Sequence, residues 1–259
     1  MALNFEKEGN PLALLRSKTK PKVIPKLICI DEKDEAVNPF NEFKCNDDGE
    51  LNLSVNPNTE RQIIYITGKS GSGKSYFTKQ YCEEYKKIFP KRMIYLFSSL
   101  AEDKTIDAIK DLKRITLNED LLKEDITAKD FEDSMVIFDD TDCITDKKMK
   151  IKVNGILTSI LETGRHYNTS IIFTSHIACA GNDTKRILNE SHFCVFFPKN
   201  MGNKGLKYLL DSYYGLDKEE IKKVKKLKSR WVCICRTFPQ VVLCQSSIYT
   251  LGDNDSDSE

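Results

Sequence analysis

Eight residues carry the chemistry most directly readable in this 259-residue chain: Gly68, Lys69, Ser70, Gly71, Ser72, Gly73, Lys74 and Ser75. Their spacing, G-x-x-x-x-G-K-S, is that of a phosphate-binding loop. Glycines let a backbone adopt left-handed angles and approach an anion closely. Successive N–H groups at a helix N-terminus then cradle phosphate, favoured by the helix dipole. Lys74 is placed to reach the β- and γ-phosphates, and the Ser75 hydroxyl to ligate Mg²⁺. The expected ligands are ATP and Mg²⁺. The loop also has the context its chemistry needs. The apolar run Ile63-Ile64-Tyr65-Ile66 precedes it, and a helical pattern follows.

A second constellation complements the first. The apolar run Met135-Val136-Ile137-Phe138 ends in Asp139 and Asp140. Asp139 is the expected holder of the metal's shell, usually through water. Asp140 would stand near the γ-phosphate, where it could orient or deprotonate an attacking water. Asp142 reads as a turn residue. Two strand-like segments lie between the phosphate loop and these acids. That fits the division of P-loop NTPases (the ASCE type) with an added strand between the two motif strands and an extra acid for water activation.

The elements that must hold these residues alternate. A helix is expected from Lys74 to Phe89, with Phe77, Tyr81, Tyr85 and Ile88 on one face and Pro90 as its stop. Further strands are expected at Met93–Phe97, Arg114–Leu117, Ser170–Thr174 and Phe193–Phe197. Helices are expected at Ile106–Leu112, within Asn118–Asp133, and from about Lys148 to Thr163, where Gly164 ends an apolar stripe. Such alternation predicts an α/β fold with a mostly parallel sheet and helices on both faces, its ligand at the carboxyl ends of the strands.

The flanks read differently. Residues 1–60 are expected to form an N-terminal extension packing on a core at 61–200, with one strand at Lys26–Ile30 and a turn at Asn46–Gly49. Residues 201–252 are expected to form helices at Gly205–Tyr214 and Lys218–Lys228, then a hairpin of Trp231–Cys235 and Val241–Cys244. Residues 253–259 form an acidic stretch expected to be disordered.

Net charge is only +1, so any nucleic-acid contact must come from local basic patches. Lys222, Lys223, Lys225 and Lys226 are the candidates. Nine cysteines without a CxxC pair read as reduced thiols of an intracellular protein. No apolar run reaches membrane-spanning length, and Met1–Lys7 lacks the pattern of a secretory signal.

The segment from Gly164-Arg165-His166-Tyr167-Asn168 through the apolar strand to Ser175-His176 completes a recognisable set with GKSGSGKS and the paired acids. Together, over roughly Gln62 to Phe197, they resemble the genome-packaging ATPases of large DNA viruses, including the poxvirus type, within the FtsK–HerA superfamily. The resemblance implies a RecA-like domain forming a homo-oligomeric ring, with ATP between subunits and double-stranded DNA pumped into a capsid. Partners would then include capsid or portal-like proteins. The setting would be the host cytoplasm or a virus factory, or the virion. Arg165 falls on the motif's arginine, a candidate finger to a neighbour's γ-phosphate or a ligand within its own subunit. Arg186 is a second finger candidate. His176 falls where the family usually carries a glutamine that senses γ-phosphate. The alternatives are another P-loop DNA-translocating or partitioning ATPase, or a nucleotide-gated scaffold with little hydrolysis.

Overall fold

The computed structural model describes residues 2–31, 33, 35–58 and 61–252, the side chains of 182 and 183 excepted. The expected acidic tail, 253–259, lies outside the described residues. In chain order the strands are β1 (Ala2–Asn4), β2 (Asn10–Ser17), β3 (Lys26–Asp31), β4 (Glu42–Lys44), β5 (Gly49–Leu53), β6 (Ile63–Thr67), β7 (Ile94–Ser98), β8 (Leu112–Arg114), β9 (Met135–Asp139), β10 (Ser170–Ser175), β11 (Phe193–Phe196), β12 (Val232–Cys235), β13 (Val241–Cys244) and β14 (Ser247–Thr250). The α-helices are α1 (Lys74–Ile88), α2 (Glu119–Lys123), α3 (Lys147–Thr163), α4 (Asn182–Glu190), α5 (Asn203–Tyr208) and α6 (Lys218–Lys226). Packing divides the chain into two compact units, 59–191 and 1–58 with 192–259.

The 59–191 unit contains the parallel sheet. Its strand order is β6-β10-β9-β7-β8, and every pair is parallel. Strands β6, β9 and β10 are buried along their whole length, which is why they read as continuous apolar runs rather than alternating ones. Strand β10 lies between the strand that delivers the phosphate loop and the strand that ends in Asp139. This is the inserted strand expected above. In register, Ser98, Asp139 and Thr174 form one row across β7, β9 and β10.

Helix α1 buries Phe77, Tyr81 and Tyr85, as its spacing predicts. Ile88, expected on that face, is exposed at the helix end, and Cys82 and Thr78 fill the inner face. Helix α3 buries Met149, Val153, Ile156, Leu157, Ile160 and Leu161. Its first turn is capped by the Asp146 carboxylate, which accepts the Met149 N–H at 2.7 Å.

Between β7 and β9 one expectation fails and one strand is shifted. No helix forms over Ile106–Leu112. The Asp103 carboxylate captures the N–H groups of Thr105 and Ile106, and Asp111 has φ 57°, so the backbone is committed to turns. The short strand begins earlier than expected, at Leu112, because Leu112 and Arg114 pair with Ile94 and Leu96. The helix expected within Asn118–Asp133 is α2, capped by Asn118, and a 3-10 turn at Ala128–Phe131 with a Thr127–Asp130 capping box follows it.

The other unit is antiparallel. One sheet has the order β1-β3-β2-β5, and β4, β14, β13, β12 and β11 pair in that order. Strand β11, placed by the sequence with the core, belongs to this unit, where it pairs with β12. The N-terminal stretch holds five strands where one was expected. The helix expected at Gly205–Tyr214 is α5 followed by a wider π turn at Leu209–Tyr213. Among the described residues no helix is long and apolar enough to cross a membrane. All nine cysteines are free.

Candidate nucleotide site

The phosphate loop leaves the carboxyl end of β6 and enters α1 at Lys74. Gly71 and Gly73 have φ of 74° and 115°, the left-handed region that side chains rarely occupy. Among the described residues nothing lies within 4 Å of a Cβ built at Gly71, so backbone conformation rather than space calls for glycine there. The Gly68 N–H donates to the Ser175 carbonyl at 3.1 Å and the Ser72 N–H to the Lys69 carbonyl at 3.1 Å. These bonds tie the loop to β10 and close its turn.

The Lys74 side chain is buried, and Nζ has three neighbours. It donates to the Gly68 carbonyl at 3.1 Å, lies 3.1 Å from His176 Nδ1 and 3.5 Å from Asp140 Oδ1. His176 also touches Asp140, Nε2 to Oδ2 at 2.8 Å. An ammonium facing Nδ1 calls for a lone pair there, so the proton sits on Nε2 and points at the carboxylate. Lys74, His176 and Asp140 therefore form a closed triangle. The Asp140 backbone has φ 48°, and its N–H donates to Thr174 Oγ1 at 3.0 Å. This turn directs the side chain back over the loop.

Asp139 is held differently. Its row places it between two hydroxyls: Thr174 donates to Oδ1 at 2.8 Å and Ser98 to Oδ2 at 3.1 Å. Burial first, then the Asp140 charge beside it, raises the Asp139 carboxyl above its ordinary range, and the two hydroxyls pull the other way. Asp142 accepts the Ser175 hydroxyl at 2.7 Å and helps fix the end of β10. Ser75 donates its hydroxyl to Asp103 Oδ2 at 2.9 Å. Burial works to raise the Asp103 carboxyl, but the Ile106 and Thr105 N–H groups and the Ser75 hydroxyl outweigh it and hold it low.

These residues line a cleft of about 480 Å³ that includes Lys69, Ser70, Gly71, Gly73, Lys74, Ser75, Asp103, Asp139, Asp140 and His176. The donor set fits a magnesium–triphosphate. A hydroxyl and carboxylates are the hard oxygen donors magnesium takes, and the loop supplies backbone N–H groups with one ammonium for phosphate. Among the described residues the Ser72 hydroxyl is buried without a hydrogen-bond partner, which leaves a donor suited to a phosphate oxygen.

Sequence reasoning missed Asp103, Thr174 and Ser98. Thr174 and Ser98 are polar residues at the ends of apolar strands, a signal that was present. Asp103 lies in an ordinary polar loop with no such mark.

Arg165 is not in this cleft. It lines another, of about 820 Å³, with Arg61, Leu161, Glu162, His166, Arg186 and Glu190. Arg61 and Arg165 precede β6 and β10, whereas Gly68 and His176 follow them. The six-residue β10 spans roughly 20 Å at about 3.3 Å per residue. Arg165 is thus at the opposite end of β10 from its own phosphate loop. Arg61 donates to the carbonyls of Ile160 and Leu161, at 2.8 and 3.0 Å. Its guanidinium is held below its ordinary pKa, first by burial, with Glu190 opposing and the Arg165 charge adding to the shift. Arg186 pairs with Glu162 at 3.1 Å. Both finger candidates therefore share one basic cleft.

Fold and site define a P-loop NTPase fold with an inserted strand and a second acid beside the loop. No protein-family model matches the chain. Protein V3 of Sputnik virophage, described as uncharacterized, is 42% identical over 195 residues, covering 74% of this chain and 78% of that protein. The chain belongs to the family of that virophage protein. Among solved structures, the genome packaging NTPase B204 of Sulfolobus turreted icosahedral virus 2 aligns with TM-score 0.49 and 14% identity, over 73% of this chain and 98% of that one. The cytoplasmic domain of the type VII secretion ATPase EccC of Thermomonospora curvata aligns with TM-score 0.50 and 12% identity. That match covers 83% of this chain but 29% of EccC, and it speaks for the fold alone.

Proposed function

We propose that the protein is an ATP-hydrolysing motor of the FtsK–HerA genome-packaging type that translocates double-stranded viral DNA. The observation that carries the enzymatic part is the Lys74–His176–Asp140 triangle over the phosphate loop. A carboxylate poised there is the group a hydrolase needs and a passive nucleotide binder does not. The packaging part is supported by the Gly164-Arg165-His166-Tyr167-Asn168 element before β10, and the virophage relative supports a viral setting.

In this reading the loop N–H groups bind the phosphates, and Lys74 turns from Asp140 toward the γ-phosphate. Asp140, still held by His176 Nε2–H, accepts the proton of the attacking water. His176 thereby links γ-phosphate occupancy to the position of the base. Ser75 and Asp139 would hold Mg²⁺, which when bound neutralises charge on the phosphates.

Steady-state ATP turnover with and without double-stranded DNA tests this. Lys74→Ala should abolish turnover and weaken nucleotide binding. Asp140→Asn should keep binding and lose turnover by about 10²-fold or more. DNA should stimulate the wild type regardless of base sequence, and the effect should fall steeply with salt. Wild-type turnover in Asp140→Asn would remove Asp140 as the base. Absence of DNA binding and stimulation at low salt would remove the motor.

A further inference from the structure

The loop after β7 sends a carboxylate onto the hydroxyl that the phosphate loop offers to metal. Asp103 Oδ2 accepts from Ser75 Oγ at 2.9 Å. Its other oxygen is committed to the backbone, taking the Thr105 N–H at 2.7 Å and the Ile106 N–H at 3.1 Å. The loop itself is braced from β8. Arg114 donates to the Leu100 carbonyl at 2.7 Å and to Asp107 Oδ1 at 2.6 Å. Asp107 Oδ2 in turn accepts the Asp103 N–H at 2.8 Å. Asp103 is therefore a fixed acceptor aimed at one hydroxyl.

A hydroxyl that ligates a divalent cation gives the cation a lone pair and needs an acceptor for its proton. That acceptor sets the orientation of the ligand. Asp139, the acid nearest in role, already receives the hydroxyls of Thr174 and Ser98 on its two oxygens. We propose that Asp103 is the positioning residue for the metal-ligating hydroxyl: it takes the Ser75 proton and leaves an Oγ lone pair for the Mg²⁺ that accompanies the nucleotide. This rests on the magnesium–nucleotide reading of the cleft given above.

The test is equilibrium binding of ATPγS by calorimetry, with excess Mg²⁺ and with excess EDTA. The ratio of the two Kd values measures how strongly metal supports binding. Asp103→Asn keeps an acceptor for the loop N–H groups and turns an N–H₂ toward Ser75. It should weaken binding in Mg²⁺ about 10-fold, the lower end of the effect of losing a ligand's orienting partner, without weakening binding in EDTA. Ser75→Ala should reduce the ratio by itself, and adding Asp103→Asn should then change nothing further. Asp103→Ser, whose hydroxyl can still serve the loop N–H groups, supplies the same measurement if the Asn variant does not fold.

An unchanged ratio in the variants overturns the proposal. So does an Asp103 effect that persists in full beside Ser75→Ala, or one that weakens EDTA binding and lowers the Tm alike, as a merely structural role would. A wild type whose binding ignores metal overturns the magnesium reading itself, and the Asp103 proposal with it. A metal-dependent wild type with indifferent Asp103 variants sinks Asp103 alone.

Discussion

Asp139 and Asp140 are adjacent in the chain yet live under different physics. Asp140 turns through a left-handed backbone to meet a cation and a ring N–H, whereas Asp139 stays in the sheet with two hydroxyls for company. Burial raises the Asp139 carboxyl, so its contribution to stability is fully present below its unfolded value near 3.8 and is lost as pH rises through the folded value. Above that point the fold carries an unfavourable buried charge. Asp139→Asn should therefore raise the Tm of the ligand-free protein at pH 7 by a few degrees. The gain should vanish below pH 3.8, and Mg²⁺–ATP should stabilise the variant less than it does the wild type. Calorimetric scans at the two pH values, with and without nucleotide, check both signs.

At the scale of elements, what was legible in the sequence was what depends on neighbours a few residues away. Helix α3 was placed nearly to the residue because its apolar stripe and stop are local, and β6, β9 and β10 were legible as buried runs. Strand β2 was missed because Pro11 and the run Leu12-Ala13-Leu14-Leu15 show no alternation. The ladder shifts between Pro11 and Ala13, a break that only the sheet reveals. The Ser75–Asp103 bond was illegible for a similar reason: it joins residues 28 apart across loops that only the sheet brings together.

The same N-terminal region supplies a pH test. Asp48 accepts the Ser17 hydroxyl at 2.7 Å and the Thr19 N–H at 2.8 Å, clipping the end of β2 to the turn before β5. The Ser17 hydroxyl first, then Thr19, lowers its pKa to about 2. That stabilisation is present above the unfolded value of 3.8 and is lost as pH falls through about 2. Asp48→Asn should destabilise the protein at pH 7 and flatten the acid side of its stability profile. Urea unfolding midpoints across pH 2–7 would show an unaltered slope if the clip is idle.

At the scale of the whole molecule, the lysines proposed for DNA are on exposed turns of α6. Lys222 is paired with Glu219 at 3.3 Å, and Lys223 Nζ stands 3.9 Å over the Tyr249 ring. We propose that Arg165, remote from its own phosphate loop, acts as a finger toward another subunit. Arg165→Ala should then cost about 10³–10⁵-fold in turnover. Mixing Arg165→Ala with Lys74→Ala subunits should recover part of it, because an intact loop can meet an intact arginine. No recovery in assemblies shown to contain both would count against the trans role.

With Arg165 acting in trans as proposed, a subunit has polarity, a socket at one end of its strands and a plug at the other. An open row of n such subunits would always leave one socket unfilled and one plug idle, giving n−1 working sites. Closing the row into a circle gains a site without adding a subunit. The last join would differ from all earlier ones, because it alone adds a subunit-to-subunit contact and a working site while recruiting no new chain.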